Sequence, residues 1–443
     1  MRRLAPAPGP DVTIDFEGKA IAAQAGEPAA CALLAAGEGV FSRSIKYHRP
    51  RGPFCMAASC SHCLMRIDGQ PNRFTCQTPV RAGMRLQRQN AFPSAGVDVF
   101  SSIDWLFPRG LDHHSMLAGV PVAEKVMAAV ARQLSGLGLL PDAADAPPRP
   151  PERLEAEVTV VGGGAAGLAA ARALAAAGVP ALLLEQEDRL GGRLVLEAPE
   201  EHGEARAATA PPEAKVRLRT SVLGLYDDEL GRVLVAMEQG PEGPRLLLLK
   251  SRSVLFALGG HATVLPFENN DIPGVFSGRA ASDLLLRRRL LVGDVPALVG
   301  HGSQLLALRQ AFEREGARPA VVLDVRASKE VGGVVAGQPL RAHGRTSVHG
   351  LSFRTVEGRV SRVDCDAVVV SLPPSPAFEL PRQAGVKVAF QPALEAFAPQ
   401  AEADGRTSVH DVWLAGDGVH PGTAREAIDS GRRAGEALAR VLR

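Results

Sequence analysis

Four cysteines crowd into 22 positions, as Cys55, Cys60, Cys63 and Cys76, in the spacing C-x4-C-x2-C-x12-C. Whatever this chain folds into must bring that loop and the later segment bearing Cys76 to one point. Only six cysteines occur in 443 residues. That is too few for a disulfide scaffold, so the crowding points to metal. A C-x4-C-x2-C run with a more distant fourth cysteine is the plant-type [2Fe–2S] ligand pattern. A tight loop gathers three thiolates around one iron–sulfur rhomb and a neighbouring segment presents the fourth. The small residues Ala57, Ala58 and Ser59 would let backbone amides turn inward onto the sulfurs.

Tetrahedral zinc is the main competitor, but its structural sites use two separated cysteine knuckles and Cys76 stands alone. A Rieske centre would need a C-x-x-H pair after Cys60-Ser61-His62, and none follows. His62 is expected to be a solvated loop histidine, with tuning of the cluster potential as its functional alternative. The basic loop Lys46 to Gly52 (KYHRPRG) is expected to be a solvated turn, the alternative being charge compensation of the cluster or partner docking. Cys31 and Cys365 are expected to be buried thiols.

The segment around the cysteines has the patterning of a small α+β domain. Val12–Phe16 alternates as a strand before a turn at Gly18, Pro28–Ala36 is helix-like, and Cys63–Asp68 runs into Gly69 as a hairpin strand. A Pro-rich stretch, Pro141 to Pro151, breaks the composition and reads as a linker. Before it, a helix is expected over Val122–Leu137.

Beyond the linker the chain alternates strands and helices, which argues for an α/β architecture with parallel sheets. The run Val158–Val161 enters Gly162-Gly163-Gly164-Ala165-Ala166-Gly167 and an Ala-rich helix, and Glu185 ends the next strand. In this G-x-G-x-x-G unit the first glycine makes the turn, the second admits a pyrophosphate and the third lets helix and strand approach. The helix N-terminus faces the phosphates and Glu185 accepts hydrogen bonds from ribose hydroxyls. A second opening, Pro296–Gly300, continues as Gly300-His301-Gly302-Ser303-Gln304-Leu305, and Asp324 ends the following strand. Leu305 stands where the third glycine belongs, so this site is either a working NAD(P) pocket or a structural remnant.

Composition closes off other classes. Fifty Lys+Arg against 48 Asp+Glu leave a net charge of +2, giving no electrostatic case for nucleic acid or an anionic membrane. Aromatics at 4% leave no stacking platform for single strands. No run of eighteen apolar residues occurs, so no transmembrane helix is expected. The cytoplasm is the expected compartment, with attachment to a membrane through partners as the alternative. No Ser-His-Asp set, histidine metal cluster or general base stands out; Asp112, His113 and His114 read as a surface group. The catalytic residues are therefore unassigned.

The remaining signatures carry a resemblance. Leu190-Gly191-Gly192-Arg193, Val254–Gly260 with Gly259 near its end, and Val412–Gly418 with Gly416 and Asp417 resemble, in order, the motifs of two-dinucleotide-binding flavoproteins. That resemblance implies FAD on the first fingerprint and NAD(P) on the second. The lack of a C-x-x-C in this portion excludes a redox-active disulfide. Joined to an N-terminal [2Fe–2S] segment, the whole resembles the α subunits of heteromeric amine and amino-acid oxidoreductases: hydrogen cyanide synthase, opine oxidase, dye-linked proline dehydrogenase and sarcosine oxidase. The KYHRPRG loop is similar to the sarcosine oxidase α subunit, and Gln77-Thr78-Pro79-Val80 to the small iron–sulfur subunit of the cyanide synthase and opine oxidase type.

The resemblance implies a β-grasp-type ferredoxin-like domain followed by a two-dinucleotide-binding-domain flavoprotein. Its parts would be residues 1–95 for the cluster and 96–153 for a helical connector and linker. Residues 154–269 and 373–443 would form the FAD domain, and 270–372 the NAD(P)-binding-like domain. It also implies an electron-relay subunit whose partner, an FAD-containing β subunit of the amine or amino-acid oxidase type, oxidises the substrate. Glycine, sarcosine, proline and opines are the substrate classes left open. The chain ends at residue 443 without a folate-binding half, so formaldehyde transfer to folate is not expected. The alternative is a self-contained NAD(P)H-dependent FAD/[2Fe–2S] reductase.

Overall fold

The computed structural model describes residues 1–45, 47–91, 93–102, 149–192, 194, 214–228, 231–240 and 243–443. The helix expected over Val122–Leu137, the Asp112–His114 group, Lys46 and Arg193 lie outside the described residues. Two compact units emerge, Met1–Asp145 with Val264–Leu372, and Ala146–Thr263 with Pro373–Arg443.

The first unit opens with a five-stranded mixed sheet. Its spatial order is Lys19–Gln24, Asp11–Phe16, Arg85–Gln87, Leu64–Ile67, Gln70–Phe74. Alternation explains the first hairpin, because Ile14, Phe16, Ile21 and Ala23 are buried while their neighbours face outward. Its tip, Glu17-Gly18, takes positive φ at both residues, as a type I′ turn requires, and Asp15 accepts from the Gly18 amide. Asp68-Gly69 repeats that device between Leu64–Ile67 and Gln70–Phe74. Helix Ala29–Ala35 lies across the sheet with Ala29 through Leu34 buried.

The same unit contains a seven-stranded sheet ordered Val275–Ser277, Ala367–Ser371, Pro296–Gly300, Val321–Asp324, Val335–Gly344, Val348–Thr355, Val360–Val363. The first five strands run parallel and the last two pairings are antiparallel. Ala367–Ser371 and Pro296–Gly300 are buried at every position, which suits strands covered on both faces. One continuous core serves both sheets: Ile14, Phe16, Met65 and Leu86 belong to the same apolar cluster as Phe276, Leu284, Leu298 and Phe312. The extreme N-terminus joins in, Arg2–Arg3 pairing antiparallel with Leu290–Leu291.

The second unit is built on another seven-stranded sheet. Lys215–Arg217, Ala181–Leu184, Glu152–Val161 and Gly243–Phe256 lie side by side and parallel. Gly231–Gly240 and Thr220–Asp228 extend the sheet as an antiparallel meander, and Val412–Leu414 pairs with the far end of Gly243–Phe256. Helices Ala165–Ala176 and Ala424–Leu442 pack together through glycines. A Cβ at Gly431 would lie 2.0 Å from the Ala166 carbonyl oxygen, and one at Gly435 2.6 Å from that of Ala170. The longer helix starts with a capping box formed by Thr423 and Glu426.

Candidate functional site

The loop from Cys55 to Cys63 is wound tightly enough that Met56 and Ala58 adopt positive φ, a conformation costly for residues with a side chain. The winding turns amides onto sulfur. Ala57 N donates to Cys55 Sγ at 3.4 Å, the Cys60 amide bonds Cys55, the His62 amide bonds Cys60 and the Ala58 amide bonds Cys76. Cys76 reaches the loop because Thr75 N and Oγ1 both donate to the Cys63 carbonyl, at 3.3 and 2.8 Å.

The four thiols form two hydrogen-bonded pairs, Cys55 with Cys60 and Cys63 with Cys76. The Cys60 thiol holds Cys55 down at about 5, and the Cys76 thiol lowers Cys63; the donating thiols are pushed up by the same bonds and by burial. Cys55, Cys63 and Cys76 are buried and Cys60 is the more accessible member. Among the described residues no three His, Cys, Asp or Glu side chains converge on a single-ion site. Two thiol pairs ringed by sulfur-directed amides fit a two-iron rhomb, in which each iron takes two cysteines.

The basic loop before the ligands is not a solvated turn. His48 is buried, with Nδ1 2.8 Å from Asp98 Oδ2, beside an equally buried Arg43. Arg49 and Arg51 both pair with Asp271, at 3.2 and 3.0 Å. His62 is half-buried, and its Nε2 lies 3.1 Å from Arg51 Nη1. Because a guanidinium only donates, Nε2 is the acceptor and the ring is neutral. Burial, then Arg51, lowers its pKa to about 4.

In the second unit, four separated segments meet at the N-terminus of helix Ala165–Ala176. Gly162 turns with φ +107, and a Cβ there would meet the Ala257 carbonyl oxygen at 2.3 Å. A Cβ at Gly167 would lie 1.8 Å from the Gly162 oxygen, so the third glycine is what lets helix and strand touch. Gly192, at φ +52, would place a Cβ 3.0 Å from Gly164 Cα, and one at Gly416 would fall 2.6 Å from the Ala166 Cβ. Gly259, at φ +69, faces open space, and its carbonyl oxygen is 3.4 Å from where a Cβ would stand on Gly418.

No side chain caps the helix at Gly164, so its first amides are left for an anion. Glu185, 7% exposed, accepts from Gly163 N at 2.6 Å and Glu187 N at 2.8 Å, which fixes its carboxylate beside the turn. Asp417 is buried, and its Oδ1 accepts from Gly422 N at 3.3 Å. This bare cradle with a fixed carboxylate fits a dinucleotide pyrophosphate and its ribose.

The other fingerprint is arranged differently. Gly300 packs against the Ser371 carbonyl and Gly302 has φ +71, as a tight turn needs. Leu305 is fully buried. Asp324 is engaged within the protein: Oδ1 lies 3.0 Å from His301 Nδ1 and accepts from the amides of Arg326 and Ala327 at 2.9 and 3.1 Å. Sequence reasoning found the fingerprint but not the His301–Asp324 contact, nor Asp271; residues 220 positions apart, such as Arg49 and Asn269, carry no local signal of meeting.

Comparison with known proteins matches the two segments that carry these residues. Residues 9–91 match a 2Fe-2S iron-sulfur cluster binding domain and residues 160–208 an NAD(P)-binding Rossmann-like domain. Sarcosine oxidase subunit alpha of Rhizobium meliloti (strain 1021) is 27% identical over 338 residues, covering 71% of this chain and 34% of the relative. Hydrogen cyanide synthase subunit HcnA of Pseudomonas aeruginosa is 40% identical over 80 residues, covering 18% of this chain and 76% of the relative. The chain spans 34% to 44% of the length of the sarcosine oxidase α subunits it matches. The crystal structure of L-proline dehydrogenase from P. horikoshii shares the fold, with a TM-score of 0.72 at 22% identity, covering 100% of this chain and 76% of that one. With its 2Fe-2S domain, its flavin-type dinucleotide fold and these relatives, the chain belongs to the family of FAD/[2Fe–2S] α-type oxidoreductase subunits.

Proposed function

We propose that this chain is the electron-relay subunit of a heteromeric dehydrogenase or oxidase acting on an amino acid or secondary amine of the glycine, sarcosine, proline or opine class. The observation that carries the reading is the pairing, in one chain, of a four-thiol loop fit for two irons with a four-segment glycine cradle fit for FAD. Cys55, Cys60, Cys63 and Cys76 hold the cluster. Gly162, Gly164, Ala165, Ala166 and Gly167 would form the pyrophosphate turn, with Gly192, Gly259, Gly416 and Asp417 closing around FAD and Glu185 holding its ribose; Arg193 is assigned to the same site from its motif alone. When bound, a flavin exchanges one or two electrons and the cluster one, so the pair couples two-electron to one-electron chemistry.

The chain's own residues bind and insulate. Buried Cys55, Cys63 and Cys76 would be shielded from water when holding the cluster, and the partly exposed Cys60 would be the most approachable of the four. Among the described residues no helix is long and apolar enough to cross a membrane. The partner is an FAD-containing β subunit of the amine or amino-acid oxidase type, which supplies the substrate pocket.

What speaks against the rival, a self-contained NAD(P)H-dependent reductase working through Gly300, Gly302 and Asp324, is the His301 contact on Asp324, which has no counterpart at Glu185, together with buried Leu305 where the third glycine belongs. Anaerobic mixing of the purified protein with NADH or NADPH tests this. The flavin band should persist, and bleach only when the partner subunit and an amine substrate are added. Rapid bleaching by nicotinamide alone would replace this reading with the reductase.

A further inference from the structure

We infer that Arg51, held in place by Asp271, sets the reduction potential of the cluster on Cys55, Cys60, Cys63 and Cys76. The inference rests on the assignment of a cluster to those four cysteines. Arg51 lies just ahead of the ligand loop, and its Nη1 contacts two groups at once. One is Nε2 of His62, between ligands Cys60 and Cys63, at 3.1 Å; the other is Oδ2 of Asp271 at 3.0 Å. It is close enough to Cys60 for the two to interact electrostatically. His62, neutral and accepting, joins the guanidinium to the ligand loop.

Asp271 comes from the segment leading into strand Val275–Ser277 of the second sheet. Its position is fixed by a second arginine, Arg49, whose Nη2 also donates to Asn269 Oδ1 at 2.6 Å. The backbone nearby is clamped as well. Ser277 N donates to the Phe54 carbonyl at 3.0 Å, and a Cβ on Gly52 would strike the Gly39 carbonyl oxygen at 2.3 Å. Arg51 therefore sits in a rigid frame rather than swinging in solvent.

The electrostatic consequence has a definite sign. On reduction the cluster takes one electron and gains one negative charge, with no bond made or broken. A fixed guanidinium within electrostatic reach of Cys60 stabilises that added charge, and the Asp271 carboxylate paired with it offsets part of the effect.

Redox titration of the purified holoprotein, with the reduced cluster followed by electron paramagnetic resonance, tests the assignment. Arg51→Gln should shift the reduction equilibrium toward the oxidised cluster on the order of tenfold, which is 59 mV for one electron. Asp271→Asn should move it the opposite way, and Arg51→Lys, which keeps the charge, should stay near the unmodified protein. If Arg51→Gln does not fold, the sign of the Asp271→Asn shift and the position of Arg51→Lys decide. An unchanged midpoint in Arg51→Gln with full iron content overturns the inference and leaves Arg51 a structural strut, as does a downward shift in Asp271→Asn. Absence of iron and sulfide from the unmodified protein is a separate result, and overturns the cluster assignment itself.

Discussion

The Cα of Gly431 lies so close to the carbonyl of Ala166 that a single added methyl would stand 2.0 Å from its oxygen. Ala166 belongs to the glycine fingerprint and Gly431 to the C-terminal helix, so the spacing of the two helices bears directly on the cradle. Gly431→Ala should force the helices apart, with an expected loss of about 1–3 kcal/mol in unfolding free energy. Thermal melting with flavin quantitation would register both effects. An unaltered melting temperature with full flavin would contradict the close packing.

Removing the Glu185 carboxylate leaves the Gly163 and Glu187 amides without their acceptor and, on the proposed assignment, takes away the acceptor for the FAD ribose. Losing hydrogen bonds to a charged group costs about 1.5–3 kcal/mol, roughly tenfold to a hundredfold in affinity. Glu185→Ala should therefore lower FAD affinity by that factor, measured by titrating FAD into stripped protein. Iron content should stay as it was.

Replacing one ligand separates the two cofactors. Cys60→Ser should abolish the iron signal while the flavin absorbance remains, because the thiols and the cradle belong to different compact units. Simultaneous loss of both would count against independent sites. Prolonged iron chelation should give the same selective outcome in the unmodified protein.

Arg217 makes a short bond from Nη2 to Glu152 Oε1, 2.6 Å, and also meets Glu238. The Arg217 guanidinium, aided by Arg245, holds the Glu152 carboxyl below its ordinary range. A carboxyl with a lower pKa folded than unfolded contributes stability above the unfolded value of about 4.3, and loses it as pH falls through the folded value. Arg217→Gln should thus reduce stability at neutral pH and shrink the loss on acidification. The effect should be modest, about 0.2–1 kcal/mol, since both side chains, at 29% and 20% exposure, keep contact with screening water. Urea melts at pH 7 and pH 3.5 would reveal it; an equal deficit at both would indicate lost packing instead.

Much of this was legible locally. The cysteine spacing, the strand before Gly162, the carboxylate at Glu185 and the apolar run at Pro296–Gly300 all announce themselves within about 25 residues, because turn chemistry and burial alternation are short-range. Partners brought together by tertiary packing were not legible. Nothing near Arg51 forecasts Asp271, and nothing near Arg2–Arg3 forecasts Leu290–Leu291. His62 was misread as solvated for the same reason. Phe54 and Arg51 lie against its ring, and Arg51 is in turn held by the distant Asp271. The engagement of Asp324 by His301 also escaped, since a G-x-G pattern is silent about where the intervening side chain points.

The continuous core beneath the iron-binding sheet has an evolutionary corollary. HcnA, by its name, carries a comparable stretch as a separate subunit. Here the wall behind Ile14, Phe16 and Leu86 includes Phe276, Leu284 and Phe312, contributed from far along the chain. A gene split after residue 95 would leave two products with matching greasy scars, each prone to aggregate until polar residues replaced them. Grafting this iron-binding segment onto another flavoprotein would require transplanting its distant wall as well.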